Sequence, residues 1–176
     1  MRLKEIEVYK FQELSEKAKN KFRDSELEIG YFRCDEAINS IKKLAEHFNS
    51  ELKNYSIDFL DGYRNEYLID VPSYMEDVTE EELKSLVDSL GKYNKDTFKG
   101  LGDCVLAGVC FDEDAIDGLR IAYFNGIRDI KTLLERAFDS WYKSANADAE
   151  YQISDEGLTE LCEANEYEFL SNGDLI

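Results

Sequence analysis

The chain has 176 residues, 43% hydrophobic and 12% aromatic, with 39 acidic against 21 basic side chains and a formal net charge of −18 at pH 7. That length suits one domain, able to bury about 70% of the surface its unfolded form exposes, and ten Phe with eleven Tyr argue against the disorder that a charge excess signals in an aromatic-poor chain. Four scattered cysteines (Cys34, Cys104, Cys110, Cys162) without a C-x-x-C pair, and a single histidine, His47, signal neither a zinc site nor a disulfide framework.

Residues 3–11 alternate Ile6 and Val8 with charges before Tyr9 and Phe11, which predicts a first strand. Ser15 caps a short helix over Glu16 to Phe22, with Gly30 closing the connection. From Asp35 the residues Ile38, Ile41, Leu44, Ala45, Phe48 and Leu52 recur at three- and four-residue spacing, one face of a second helix. Tyr55 to Leu60 and Tyr67 to Val71 flank an Asp61-Gly62 turn and read as a hairpin, ended by Pro72, which has no backbone donor.

Thr79 and Glu82 have capping-box spacing ahead of the stripe Leu83, Leu86, Val87, Leu90, and Gly91 follows as a stop. Asp112 is expected to cap a helix with Ile116, Leu119, Ala122 and Tyr123 inward, interrupted by Asn125-Gly126. The longest apolar face follows: Ile127, Ile130, Leu134, Phe138, Trp141, Tyr142 and Ala145. Ser154 then caps a helix bearing Leu158, Leu161 and Cys162, and Tyr167 to Leu170 with Asn172-Gly173 suggests a last hairpin. Helices and strands mix without a βαβ rhythm, so the expected class is α+β: one domain over 1–176, with several amphipathic helices on a small, mainly antiparallel sheet.

The usual chemical signatures are weak. Gly100-Leu-Gly102 lacks the third glycine of a dinucleotide fingerprint, because position 105 is Val. Asp112, Glu113, Asp114 and Asp117 are dense but do not reproduce an EF-hand loop, and His47 beside the apolar Phe48 reads as a boundary residue. No catalytic set, metal site or cofactor is therefore expected. The opening lacks the apolar core of a signal peptide, and the longest apolar run, Val105 to Phe111, falls far short of a membrane span, so a soluble cytoplasmic protein is expected.

Charge carries more information. Residues 1–53 hold eleven acids and eleven bases, so the whole excess belongs to residues 54–176. No Lys or Arg follows Lys143, although nine carboxylates do. Glu156, Glu160 and Glu163 fall at i, i+4 and i+7 opposite Leu158 and Leu161, roughly 5–6 Å apart along a helix axis, comparable to phosphates along one nucleic-acid strand. Such a row can meet Arg and Lys arranged for phosphates, and it can equally be a solvated face that aids solubility. Glu76, Asp77, Glu80 and Glu81, and Asp112, Glu113, Asp114 and Asp117, extend the surplus to other elements.

Tyr9-Lys-Phe11-Gln-Glu13-Leu14-Ser15-Glu16-Lys-Ala18-Lys resembles the opening of a broad group of small phage and prophage proteins, in which a strand runs into a helix. Gly102 to Gly108 with Asp112 to Ile116, and the ending Ala164 to Phe169 with Asn172-Gly173, are similar to later segments of that group. The resemblance covers about a third of the chain and implies provenance more than chemistry. Small acidic phage proteins of this kind include counter-defence factors, among them anti-CRISPR proteins. What the resemblance and the charge together lead us to expect is a non-enzymatic inhibitor, in the cytoplasm of an infected or lysogenic bacterium, that occupies the basic groove of a nucleic-acid-handling enzyme such as a CRISPR nuclease. Direct nucleic-acid or membrane binding is not expected. The alternatives are a phage regulatory or assembly adaptor that grips a host protein through an apolar or aromatic surface, and a small enzyme.

Overall fold

The computed structural model describes residues 7–29, 35–60, 65–90 and 111–176. The fold is α+β: seven helices and one two-stranded antiparallel sheet among the described residues. The chain divides into two compact units, Met1–Arg33 with Ala147–Ile176, and Cys34–Asn146.

In the first unit, residues 3–6 of the expected strand lie outside the described residues. In the remainder only Tyr9 pairs, bridging Phe169, and Phe11–Glu13 form a 3-10 turn. The reason is local: the Glu13 carboxylate accepts from the Lys10 amide at 2.7 Å, which folds the chain back before a strand can extend. Helix α1, Glu16–Ile29, runs well past Phe22, where the sequence reading ended it. Its stripe, with the turn before it, is Phe11, Leu14, Ala18 and Phe22, spaced by three and four residues, and it is buried against Leu158, Cys162 and Phe169. Phe22 and Phe169 meet edge to face at 5.0 Å between centroids, a favoured aromatic geometry.

Ser154 caps α7, Asp155–Ala164, by accepting from the Gly157 amide. The expected final hairpin reduces to a tight reversal at Leu170–Asp174 and one bridge, Phe169 to Leu175. Gly173 is required there. Its φ is +85°, and a Cβ would lie 2.5 Å from the Ala18 carbonyl oxygen.

In the second unit, α2 spans Asp35–His47, and Leu52, expected on that helix, instead lies in β1, Glu51–Ser56. Asn49 at φ +51° stops the helix: its amide bonds Glu46 and that of Ser50 bonds Ala45, a Schellman ending. Strand β1 pairs with β2, Glu66–Asp70, with an irregularity between Lys53 and Ser56. The hairpin thus starts upstream of Tyr55, and the Asp61-Gly62 turn lies outside the described residues.

Pro72 does follow β2 and leads into the short α3, Ser73–Glu76. Helix α4, Glu80–Ser89, carries the expected box: the Glu82 amide donates to Thr79 Oγ1 at 3.2 Å and the Thr79 amide to Glu82 Oε2 at 2.9 Å. Helix α5, Asp112–Phe124, and helix α6, Ile130–Gln152, complete the set, α6 passing its last residues to the first unit. Trp141 is fully buried, with Phe138 at 5.3 Å and Phe59 at 5.5 Å, and Ile130, Leu134 and Ala145 are buried too, so this face of α6 is core, whereas Ile127 precedes the helix and, like Tyr142, is half-buried. Gly118 lets α5 and α6 approach closely, since a Cβ there would sit 2.5 Å from Ser140 Cβ. Among the described residues no helix is long and apolar enough to cross a membrane.

Candidate functional site

Six of the nine carboxylates that follow Lys143 fall into two sets once the first unit is folded. Asp155 receives Lys19 Nζ at 2.8 Å and Arg23 Nη2 at 2.5 Å, Glu168 receives Lys10 at 3.4 Å, and Asp174 receives Lys21. Arg23 Nε also donates to the Ile153 carbonyl at 2.8 Å, so one guanidinium spans the turn before α7. Lys19 beside Asp155, and Lys21 with Asn172 beside Asp174, hold both carboxyls below the ordinary carboxylate range. The bases absent from the tail are thus supplied by residues 10–23.

Glu156, Glu160 and Glu163 are the second set. All three are exposed on α7, and among the described residues no basic side chain pairs with them. Glu160 accepts a hydrogen bond from the Tyr151 hydroxyl, which raises the Tyr151 pKa, and the neighbouring Glu156 charge adds to the rise. Here the structure retains the row read from the sequence.

In the second unit, Glu76 ends α3, Asp77 follows it, and Glu80 and Glu81 open α4, all exposed. Acidic residues in a first turn complement the helix dipole, which gives Glu80 and Glu81 a structural role as well. Glu80 takes Arg128 Nε at 3.1 Å, and Arg128 lies over the Tyr123 ring at 4.3 Å, tying the start of α4 to the end of α5. Glu82 belongs to the cap, and the Thr79 amide and hydroxyl lower its pKa.

Asp112 requires correction on two counts. It is the first residue of α5 and not its cap, a position taken by Phe111, and it is only 1% exposed, so it is not part of an outer acidic surface. The spacing explains this, because residues 112, 115, 116 and 119 share the buried stripe of α5. Glu113 and Asp117 are exposed and Asp114 half-buried, with Arg120 3.8 Å from Asp117.

Two residues escaped the sequence reading. Ile121 and Phe124 are 62% and 78% exposed on α5, and their signal was their place off the buried stripe. His47 Nε2 lies 3.1 Å from the Leu86 carbonyl oxygen and 2.9 Å from Ser89 Oγ, contacts that hold α2 to α4. Cys162 is buried, and burial with a contribution from Glu26 pushes its thiol up to about 11, leaving it protonated and unreactive at neutral pH. Among the described residues no group of three or more His, Cys, Asp or Glu side chains is placed to hold a metal ion, and Gly100 to Gly108 lie outside them. Neither a family model, nor a curated protein, nor a solved structure matches this chain.

Proposed function

We propose that this protein is a phage counter-defence inhibitor, anti-CRISPR-like and non-enzymatic, that binds a nucleic-acid-handling bacterial nuclease through its acidic surface and blocks the nucleic-acid groove. The observation that carries this reading is the exposed row Glu156, Glu160 and Glu163, which has no basic partner among the described residues even though Lys10, Lys19, Lys21 and Arg23 neutralise other carboxylates of the same unit. Such a row is repulsive within its helix and is offset by a cationic surface elsewhere. The resemblance to small phage proteins supplies the biological setting, the cytoplasm of a bacterial host.

The test is a cleavage assay with a purified CRISPR nuclease and guide, titrated with the protein at rising salt. Stoichiometric inhibition that weakens as salt screens the charges, together with no gel shift of free duplex or RNA by the protein alone, is the expected result. Tight binding to bare nucleic acid, or inhibition indifferent to Glu156→Gln, Glu160→Gln and Glu163→Gln in combination, would argue against mimicry on this face. The adaptor reading rests on a different observation, the exposed Ile121 and Phe124.

A further inference from the structure

On α5 the residues Glu113, Asp117, Ile121 and Phe124 follow one another at spacings of four, four and three, and all four are exposed on one face. This face changes character along its length. Its first half carries Glu113 and Asp117, the latter with Arg120 3.8 Å away on the same helix, and its second half presents an aliphatic side chain and a 78%-exposed phenyl ring. With about 1.5 Å of rise per residue, Asp117 and Glu113 lie roughly 10 and 16 Å before Phe124 along the axis. The ring is anchored at its root: Phe124 meets Tyr123 edge to face at 5.8 Å, and Tyr123 is held beneath Arg128. An exposed aromatic side chain is the kind of residue that anchors an interface.

Charge selects the occupant. An anionic bilayer is repelled by a chain of net charge −18, and a second copy brings the same excess to the contact. An aromatic platform alone would suit a nucleic-acid base, but Glu113 and Asp117 repel the phosphates that accompany it. We infer that the α5 face is a docking surface for a basic amphipathic segment of a partner protein, with Lys or Arg opposite Glu113 and Asp117 and an apolar pocket receiving Ile121 and Phe124. This deepens the proposed function, resting on its reading of the acidic surface as protein-binding, and adds an apolar anchor that mimicry of a phosphate backbone does not supply. Salt then governs one half of the contact and not the other.

The test uses two fluorescent 14-residue probes, an amphipathic Leu/Lys helix peptide and its counterpart with every Leu replaced by Gln at equal charge. The full chain is titrated against each by anisotropy at two salt concentrations, with amide shifts read by NMR. The expected result is about tenfold tighter binding of the Leu/Lys peptide, with shifts centred on residues 113–124. Phe124→Ala with Ile121→Ala removes that advantage and leaves the Gln peptide unaffected, while Glu113→Gln with Asp117→Asn weakens both peptides and flattens the salt dependence. Equal affinity for the two peptides, shifts away from α5, or a concentration-dependent dimer abolished by Phe124→Ala would each overturn the inference. Because no nuclease is present, a negative cleavage assay leaves this result intact, and failure here leaves the α7 row to be judged by the nuclease alone.

Discussion

In the unit built from Met1–Arg33 and Ala147–Ile176, bases from one segment meet acids from the other, Lys19 and Arg23 at Asp155, Lys10 at Glu168 and Lys21 at Asp174. In the unit of Cys34–Asn146, three of the described ion pairs, Lys84 with Asp88, Arg120 with Asp117 and Arg136 with Asp139, stay within one helical turn, while Lys53 with Asp70 and Arg128 with Glu80 join neighbouring elements. The first arrangement stitches distant segments, and the second mostly decorates helices already formed. A stretch that is electrically neutral in sequence can thus be committed in space to acids far away. The acids that stay uncompensated after such pairing carry more information about a partner than the gross excess does.

The largest effects should come from the two cores. Trp141→Ala should cost about 3–5 kcal/mol by denaturant unfolding, since the ring is fully buried between Phe59 and Phe138. This is the only Trp, so the parent's emission should be blue-shifted and poorly quenched by acrylamide; a red-shifted, readily quenched signal would overturn the packing. Phe169→Ala should cost a similar ~3–5 kcal/mol and strip hydrogen-exchange protection from residues 7–29 and 155–176; unchanged protection there would break the picture of two stitched segments.

The helix ends differ too. Schellman endings place Asn49 and Gly126 in the left-handed region in one unit, and Glu166, at φ +55°, in the other. Only Glu166 has neither a glycine's freedom nor a short amide side chain, so Glu166→Gly should stabilise by about 1 kcal/mol, read as a raised melting temperature.

Asp155→Asn should cost roughly 0.5–1 kcal/mol, a modest figure because half of the Asp155 side chain faces solvent. Its sign with pH follows from the depressed pKa: the unfolded carboxyl binds protons first on acidification. The stabilisation from Asp155 and Asp174 is therefore complete above the ordinary carboxylate pKa and is lost as pH falls through the lower folded values, below about pH 4. Hydrogen exchange should show the first unit loosening over that interval, and an Asp155→Asn chain should show a flatter profile. The smallest effect belongs to Glu156→Gln, Glu160→Gln and Glu163→Gln together, a gain of a few tenths of a kcal/mol per relieved pair, while inhibition of the target falls.

Where periodicity is long and a cap is present, the sequence told most of the story. Thr79 with Glu82, Ser154, and the stripe through Phe138 and Trp141 all lie where spacing places them. The misreadings have local causes. Leu52 continues the helical spacing of Phe48, and only the left-handed Asn49 between them stops the helix. Phe11 has strand chemistry, but Glu13 turns the chain, its carboxylate accepting from the Lys10 amide and its own amide donating to the Lys10 carbonyl. Asp112 looked like a cap because its type favours that role, yet its position four residues before Ile116 puts it on the buried stripe. Of the candidate surface, the α7 row was legible from spacing alone. The Lys and Arg partners of the other tail acids were not, because that pairing depends on tertiary proximity across 132 to 158 positions.

That same separation has a consequence for birth on the ribosome. The stripe of Phe11, Leu14, Ala18 and Phe22 is synthesised well before Leu158, Cys162 and Phe169, which cover it. At about 5–20 residues per second the 136 positions between Lys19 and Asp155 correspond to roughly 7–27 s of translation, far longer than a nascent helix takes to form. For that interval the three apolar side chains and the alanine have no native cover, so α1 is a waiting half of a module whose closure is timed by elongation. Closing that loop carries the entropy of a long intervening chain, so the contacts between the two segments cost more to form than the local helical ones.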